Sequence, residues 1–260
     1  AANVSLTNVD FKIYKTDDVW VRDNGPIYAK DKNGNLVIQD WGFNGWGNKI
    51  DTQSGLLIQS ANCNQIPSKI ATDQSKQLID INAIMINEGG SVVMDGNGTL
   101  MACKSSILNN NRNPGMTQAQ AEAIFTANLG IEKFIWLNGV TGLEVTDMHI
   151  DGFARFANAN TIVTMSQANL LDWGVAQTDI NTLMAATNKH NVPYNFTIVP
   201  LTVNNVTTTY GEALPFKGSY ANYYIANTKV LVPNYNDPND AVANAIIQNL
   251  YPGRTVVGID

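Results

Sequence analysis

The sequence predicts an α/β fold built of repeated strand–strand–helix–strand units arranged around a common axis. Three observations carry that expectation. Four β-hairpin patterns recur at similar spacing, helical patterns fill the gaps between them, and each hairpin opens on a small set of polar residues. The first hairpin reads "DVWVRDNGPIYAKDKNGNLVIQDW" and turns at Lys-Asn-Gly-Asn. The second, "NEGGSVVMDGNGTLMA", turns at Asp-Gly-Asn-Gly; the third, "HIDGFARFANANTIVTM", at Asn-Ala-Asn; the fourth, "YANYYIANTKVLVPNY", at Asn-Thr. In each, β-branched, aromatic and aliphatic runs flank residues that tolerate positive φ, the local signature of a hairpin.

The remaining elements follow in order. "TQAQAEAIFTANLG" opens on a Thr cap and closes on Gly, and "DPNDAVANAIIQNLYPG" opens on an Asp cap and stops at Pro-Gly, so both read as helices. Residues 68–78 and 175–188 carry weaker helical patterns. "KFIWL" and "FTIVPL", each after a helix, read as the closing strands of their units.

Composition narrows the function classes. Of 260 residues, 44% are apolar and 15% charged, as in a globular chain. A net charge of −6 argues against nucleic acid or an anionic membrane as partner and suits a small cationic ligand. With 34 Asn against 16 Lys plus Arg, the composition favours an exported protein. The four Asn-x-Ser/Thr sequons, at Asn3, Asn97, Asn195 and Asn205, are what such a composition gives by chance. Cys63 and Cys103 are either one disulfide or two unrelated thiols.

The polar residues that open the hairpins are Asp23, Glu88, His149 with Asp151, and Asn222, separated by 65, 61 and 73 residues. Units packed in a ring would bring them to one axis. His-x-Asp on a strand would put both side chains on one face. Three carboxylates around one imidazole repel one another unless a cation fills the space between them. Two aspartates suit a guanidinium, whose N–H forks match carboxylates, and a glutamate beside histidine holds the imidazole protonated for delivery to a leaving amine. A metal at His149 and Asp151 would lack further ligands, since the other histidine, His190, reads as a solvated loop residue. Arg22 and Arg155 read as buried ion-pair partners, and Trp41 and Trp46 as core.

"VWVRDNGP", "DWGFNGWG", "NEGGSVVMDGNGTL", "LNNNRNP", "TDMHIDGFARF", "SYANYYIAN" and "VPNYNDPND" together resemble the agmatine deiminase and Porphyromonas-type peptidylarginine deiminase family, from about Thr16 to the last residue. The resemblance implies the five-bladed α/β-propeller called the pentein fold, with four of five hairpins within the chain. It implies a cysteine thiolate that attacks the guanidinium carbon, with loss of ammonia, and hydrolysis of the thiouronium to a ureido product. It assigns Asp23 and Asp151 to the guanidinium, His149 to general acid and base catalysis, and Glu88 to steering that histidine. Trp20 would pack on the carbon chain of the substrate and Asn222 would line the site. No cofactor is implied.

Two departures stand out. Met148 occupies the position before the histidine where the family has Gly. The family's cysteine lies in a C-terminal Gly-rich strand ending in His-Cys, and residues 1–260 contain no such motif; neither Cys63 nor Cys103 takes its place. The expectation is therefore one pentein domain over residues 1–260, lacking an N-terminal segment and the segment with the nucleophile, which a companion fragment would supply. Peptidylarginine deiminases of this family grip a C-terminal carboxylate with arginines. The corresponding stretch here, "GFNGWGNK", has none and has the Phe-Asn-x-Trp-Gly form of the agmatine deiminases, so the resemblance implies agmatine or a related alkylguanidine as substrate. The alternatives are a peptidylarginine deiminase and a non-catalytic guanidino-binding protein. Oligomeric state is left open.

Overall fold

A computed structural model describes residues 7, 9–51 and 54–260 of the chain; the Asn3 sequon lies outside them. Four three-stranded sheets follow one another along the sequence, each made in the same way. Unit one has β1 (Ile27–Lys30), β2 (Leu36–Asp40) and β3 (Gln77–Asp80), and unit two has β4 (Val92–Met94), β5 (Thr99–Cys103) and β6 (Lys133–Leu137). Unit three has β7 (Ala154–Asn158), β8 (Thr161–Thr164) and β9 (Asn195–Ile198). A separate two-stranded hairpin, β10 (Leu201–Thr207) with β11 (Ala213–Ser219), precedes unit four, which has β12 (Tyr224–Ile225), β13 (Lys229–Pro233) and β14 (Thr255–Ile259).

In every unit the first two strands pair antiparallel across a tight turn and the third returns parallel to the second, as in Thr99 opposite Lys133 through Cys103 opposite Leu137. A parallel return needs a crossover, and the helices supply it. The second strand is central in each unit, and β5 is covered on both faces, so it is buried at all five positions and reads as a continuous run rather than an alternation. This is the strand–strand–helix–strand unit expected from the repeat, in the pentein architecture that the family resemblance implies.

The helix Gln118–Leu129 shows how local sequence fixes a crossover. Thr117 accepts from the Gln120 N–H while the Gln120 side chain accepts from the Thr117 N–H, and Gly130 closes the helix at φ 68°. Ala121 and Phe125, four residues apart, are its buried stripe, with Phe125 5.6 Å from the Trp41 ring. Apolar clusters fill the seams between consecutive units. One joins Trp41 and Ile81 to Leu100 and Phe125, a second joins Met101 and Leu137 to Phe153 and Ile162, and a third joins Val163 and Val199 to Tyr220 and Val230. Each unit therefore completes its core only against its neighbour. Among the described residues, no helix is long and apolar enough to cross a membrane.

Several elements differ from expectation. The weak helix over residues 68–78 runs instead from Ile66 to Asp73, because Ser75 adopts φ 50° and ends it, and Leu78 lies in β3. The helix expected over residues 175–188 spans Gln177–Met184. "FTIVPL" is not one strand: β9 ends at Ile198, and β10 begins after Pro200, which has no N–H to give a ladder. His149 and Asp151 do not lie on a strand either. They flank and enter a 3-10 turn, Ile150–Gly152, and β7 starts only at Ala154.

Replacing Thr117 by Ala removes one half of the capping box and is expected to destabilise the fold by about 1 kcal/mol. A urea titration with an unchanged slope and a lower midpoint would show it.

Candidate active site

Each of the first three units enters its hairpin through one short helical turn, and those turns meet. Val21–Asn24 precedes β1, Gly89–Ser91 precedes β4 and Ile150–Gly152 precedes β7. Asp23 lies in the first turn, Glu88 immediately before the second, and His149 and Asp151 before and within the third. Gly90 is the point of contact. A Cβ built there would lie 2.5 Å from His149 Nδ1 and 2.9 Å from both Asp151 Oδ2 and Asp23 Oδ1. Only a residue without a side chain lets the three groups converge, and the Gly90 N–H itself donates to Asp23 Oδ1 at 3.0 Å.

Glu88 organises the interior of the cluster. Its carboxylate is fully buried. His149 Nε2 lies 2.7 Å from Oε2, while Arg112 donates to Oε1 from Nε at 2.9 Å and to Oε2 from Nη2 at 3.2 Å. Arg112, also buried, donates in turn to Asp147, the residue two before His149, and to the Thr146 carbonyl. Asp147 takes Lys49 Nζ at 2.7 Å and the Gly142 N–H at 2.6 Å. Burial pushes the Asp147 carboxyl up, but Lys49, Gly142 and Arg112 outweigh it and hold the group below its ordinary value. The chain thus runs from solvent at Lys49 through Asp147, Arg112 and Glu88 to the imidazole.

On the other side, His149 Nδ1 is 3.6 Å from Asp23 Oδ1. Burial lowers the His149 pKa, yet the Glu88 hydrogen bond and the charges of Asp23, Glu88 and Asp151 more than reverse this and lift it to about 9. Burial raises Asp23 and takes Asp151 to about 6; His149 opposes both rises, and the repulsion between the two aspartates reinforces that of Asp151. An excess of negative charge in a desolvated space is the common cause.

Asp23, His149 and Asp151 line one wall of a cavity of about 840 Å³. Trp20, 62% exposed, stands at its rim and Asn222 on its wall, outside the hydrogen-bonded cluster. Met148 also lines it, with φ 73° directly after Asp147 at φ 59°, so two consecutive residues before the imidazole occupy the left-handed region. Sequence reasoning missed Trp46 and Arg112. Trp46 is buried like a core residue, but its Nε1 donates to Asp23 Oδ2 at 2.9 Å. It sits in a left-handed turn, Gly45–Asn48, whose four φ values run from 54° to 86°. A side chain costs about 1–2 kcal/mol per residue in that conformation, and glycines on both sides of Trp46 limit the strain. The signal was the Gly-Trp-Gly-Asn run itself; for Arg112 it was the Arg in "LNNNRNP".

The expected ion pairs of Arg22 and Arg155 do not form among the described residues. Arg22 is exposed at the cavity, and Arg155 stacks 4.0 Å from the Tyr223 ring centroid and donates to the Tyr223 carbonyl. Cys63 and Cys103 are both free and buried. Cys103 lies in the apolar seam between units two and three, where burial pushes its thiol up. His190 is an exposed loop residue, and Trp41 is core. Among the described residues, no group of three His, Cys, Asp or Glu is placed to hold a metal ion.

A profile of the Porphyromonas-type peptidyl-arginine deiminase family matches residues 1–260. The chain belongs to that family. Among curated proteins it is 29% identical over 272 residues to the agmatine deiminase of Pseudomonas fluorescens, covering 98% of this chain and 73% of that one. Among solved structures, the agmatine deiminase of Enterococcus faecalis superposes with a TM-score of 0.81 at 26% identity, covering 95% of this chain and 71% of that one. A Cys-to-Ser variant of the C. jejuni agmatine deiminase with substrate bound superposes with a TM-score of 0.78 at 28% identity, covering 97% and 71%. Hydrolysis of a guanidino group is the chemistry of this deiminase family, and the buried anionic cluster is a suitable place for it.

Two outcomes test this geometry. Gly90→Ala should disperse the cluster, so that the His149 signal in NMR moves while the other residues of the hairpin keep their shifts. In the native chain, which has two histidines, His149 is expected to titrate near pH 9, and Glu88→Gln should lower that value. Because the folded pKa lies above the unfolded 6.5, the imidazolium contributes stability fully below about pH 6.5. That contribution should be lost as pH rises through about 9, measurable as a falling unfolding free energy.

Proposed function

We propose that this chain binds agmatine or a related alkylguanidine and provides all of a deiminase site except its nucleophile. The observation that carries this reading is a pocket in which the carboxylates of Asp23 and Asp151 face a single imidazole that Glu88 holds from behind, with burial raising both aspartate pKa values. A guanidinium is planar and offers paired N–H groups to carboxylates on both sides, so it fits this pocket better than a compact ammonium.

In the proposed reaction, Asp23 and Asp151 hold the guanidinium nitrogens and Glu88 keeps His149 protonated through Nε2, leaving Nδ1 facing the pocket. A cysteine thiolate forms a C–S bond to the guanidinium carbon; the C–N bond then breaks, the His149 proton leaving with the nitrogen as ammonia. His149, now neutral, takes a proton from water as that water attacks the same carbon; cleavage of the C–S bond then releases the thiolate and the ureido product, the remaining hydroxyl proton passing to solvent. Cys63 and Cys103 are buried away from this cavity, so the thiolate is assigned to a segment outside residues 1–260, as a companion fragment or a continuation. Export remains the reading of composition alone.

An alkylguanidine is preferred over a peptide C-terminus because the Gly42–Lys49 loop contributes no free cation. Its indole is spent on Asp23 and its lysine on Asp147. The cations that do line the cavity, Arg22 and Lys217, lie on other segments, and a carboxylate held at this loop is left unpaired, which is unfavourable.

Isothermal titration of agmatine into the chain tests the binding half without needing the nucleophile. Asp23→Asn or Asp151→Asn should weaken binding by at least about a hundredfold, from the roughly 3–5 kcal/mol that breaking one partner of a buried charge pair costs. Glu88→Gln should bind nearly normally but fail in turnover once the cysteine is supplied. Unchanged affinity in both aspartate variants would remove the site. The same titration has a pH signature. A guanidinium needs Asp151 ionised, so affinity should fall as pH drops through about 6.

A further inference from the structure

We infer that Asp172 reads the far end of the substrate, and that the end it reads is an ammonium. This rests on the guanidino reading above and deepens it. Asp172 lines the same cavity as His149 and Asp151. It is the last residue of the helix Gln167–Asp172, where a carboxylate faces the negative end of the helix and gains nothing locally. The next residue, Trp173, places its indole 3.9 Å from the Cβ position of Gly152, in the turn that carries Asp151. Trp173 thus joins the end of that helix to the turn that carries Asp151, and Phe216 and Trp20 also line the cavity.

An alkylammonium already lies against this carboxylate. Lys217, on β11, reaches over the cavity and places Nζ 3.5 Å from Asp172 Oδ2. That contact marks where the amine of a substrate would lie. The pair is loose, with the two side chains 37% and 59% exposed for Lys217 and Asp172, so exchanging one ammonium for another is cheap. Asp172 is short and fixed to a helix, whereas Lys217 has a long flexible stem that can return to water, so the carboxylate is the better-organised partner. The other acid on the cavity wall, Glu144, is committed. Its carboxylate accepts the Thr146 N–H at 2.8 Å, the Met148 N–H at 2.7 Å and the Thr146 hydroxyl.

The test compares agmatine with n-butylguanidine, which keeps the guanidinium and the chain but has no amine, by calorimetric titration into the native chain, Asp172→Asn and Lys217→Met. Both substitutions lie at the surface and leave the seams between units intact. The native chain should prefer agmatine by about fivefold, the upper range of an exposed ion pair. Asp172→Asn should erase that preference with butylguanidine binding unchanged, and Lys217→Met should enlarge it by freeing the carboxylate. A preference that survives Asp172→Asn would overturn the assignment while leaving the guanidino site standing. L-Arginine binding better than agmatine, and losing that advantage in Lys217→Met, would overturn it in favour of a carboxylate reader. Binding of neither guanidine to the native chain would instead sink the guanidino reading, and this one with it.

Discussion

The buried carboxylate of Glu88 is the interaction on which the site depends. It is held from one side by Arg112 through two hydrogen bonds and faces His149 from the other. A charge with no exposure to solvent survives only when paired and hydrogen-bonded, and here both conditions are met by residues from different units. Glu88 comes from the entry to unit two, Arg112 from the loop after β5, and His149 from the entry to unit three. Asp147 extends the same chain to Lys49 in unit one. A single line of alternating charge therefore ties three units together at the axis where their cores alone leave polar turns facing one another.

The turns face one another because each unit is incomplete by itself. A three-stranded sheet with one helix has apolar surface left over, and the three clusters lie where successive units share it. Packing the seams aligns the unit entries, and the entries carry the ionisable groups. Gly90 is the small backbone feature that lets the alignment close, since Asp23, His149 and Asp151 occupy the space a side chain would need. The left-handed turn at Gly45–Asn48 belongs to the same arrangement: local strain is accepted where it aims the Trp46 indole at Asp23.

The electrostatic outcome is an asymmetry between two kinds of group in one small volume. The imidazole is surrounded by anions and holds its proton well above neutrality, while the aspartates, deprived of water and beside one another, are reluctant to ionise. The carboxylates favour a delocalised cation, which spreads its charge between them, while the imidazolium opposes it and so favours a ligand that can accept its proton at a leaving nitrogen. Family membership and local electrostatics thus point to guanidino chemistry on separate grounds.

Much of this was legible in the chain. Hairpins announced themselves by their turns, the helix Gln118–Leu129 by its caps, and the candidate residues Asp23, Glu88, His149 and Asp151 by recurring at unit entries. What failed were readings that depend on contacts distant in sequence. Trp46 and Arg112 look like core and loop residues until Asp23 and Glu88 are seen beside them, and Arg155 meets an aromatic ring rather than a carboxylate. The His-x-Asp spacing of two predicts a strand, but convergence on Gly90 is achieved by short turns that no periodicity encodes. Local sequence determined the units and the chemical types at their entries, since turns, caps and periodicity act over a few residues. Tertiary structure alone decided which charges meet and how their protons are shared, because burial and pairing are properties of the packed seam and of no single segment.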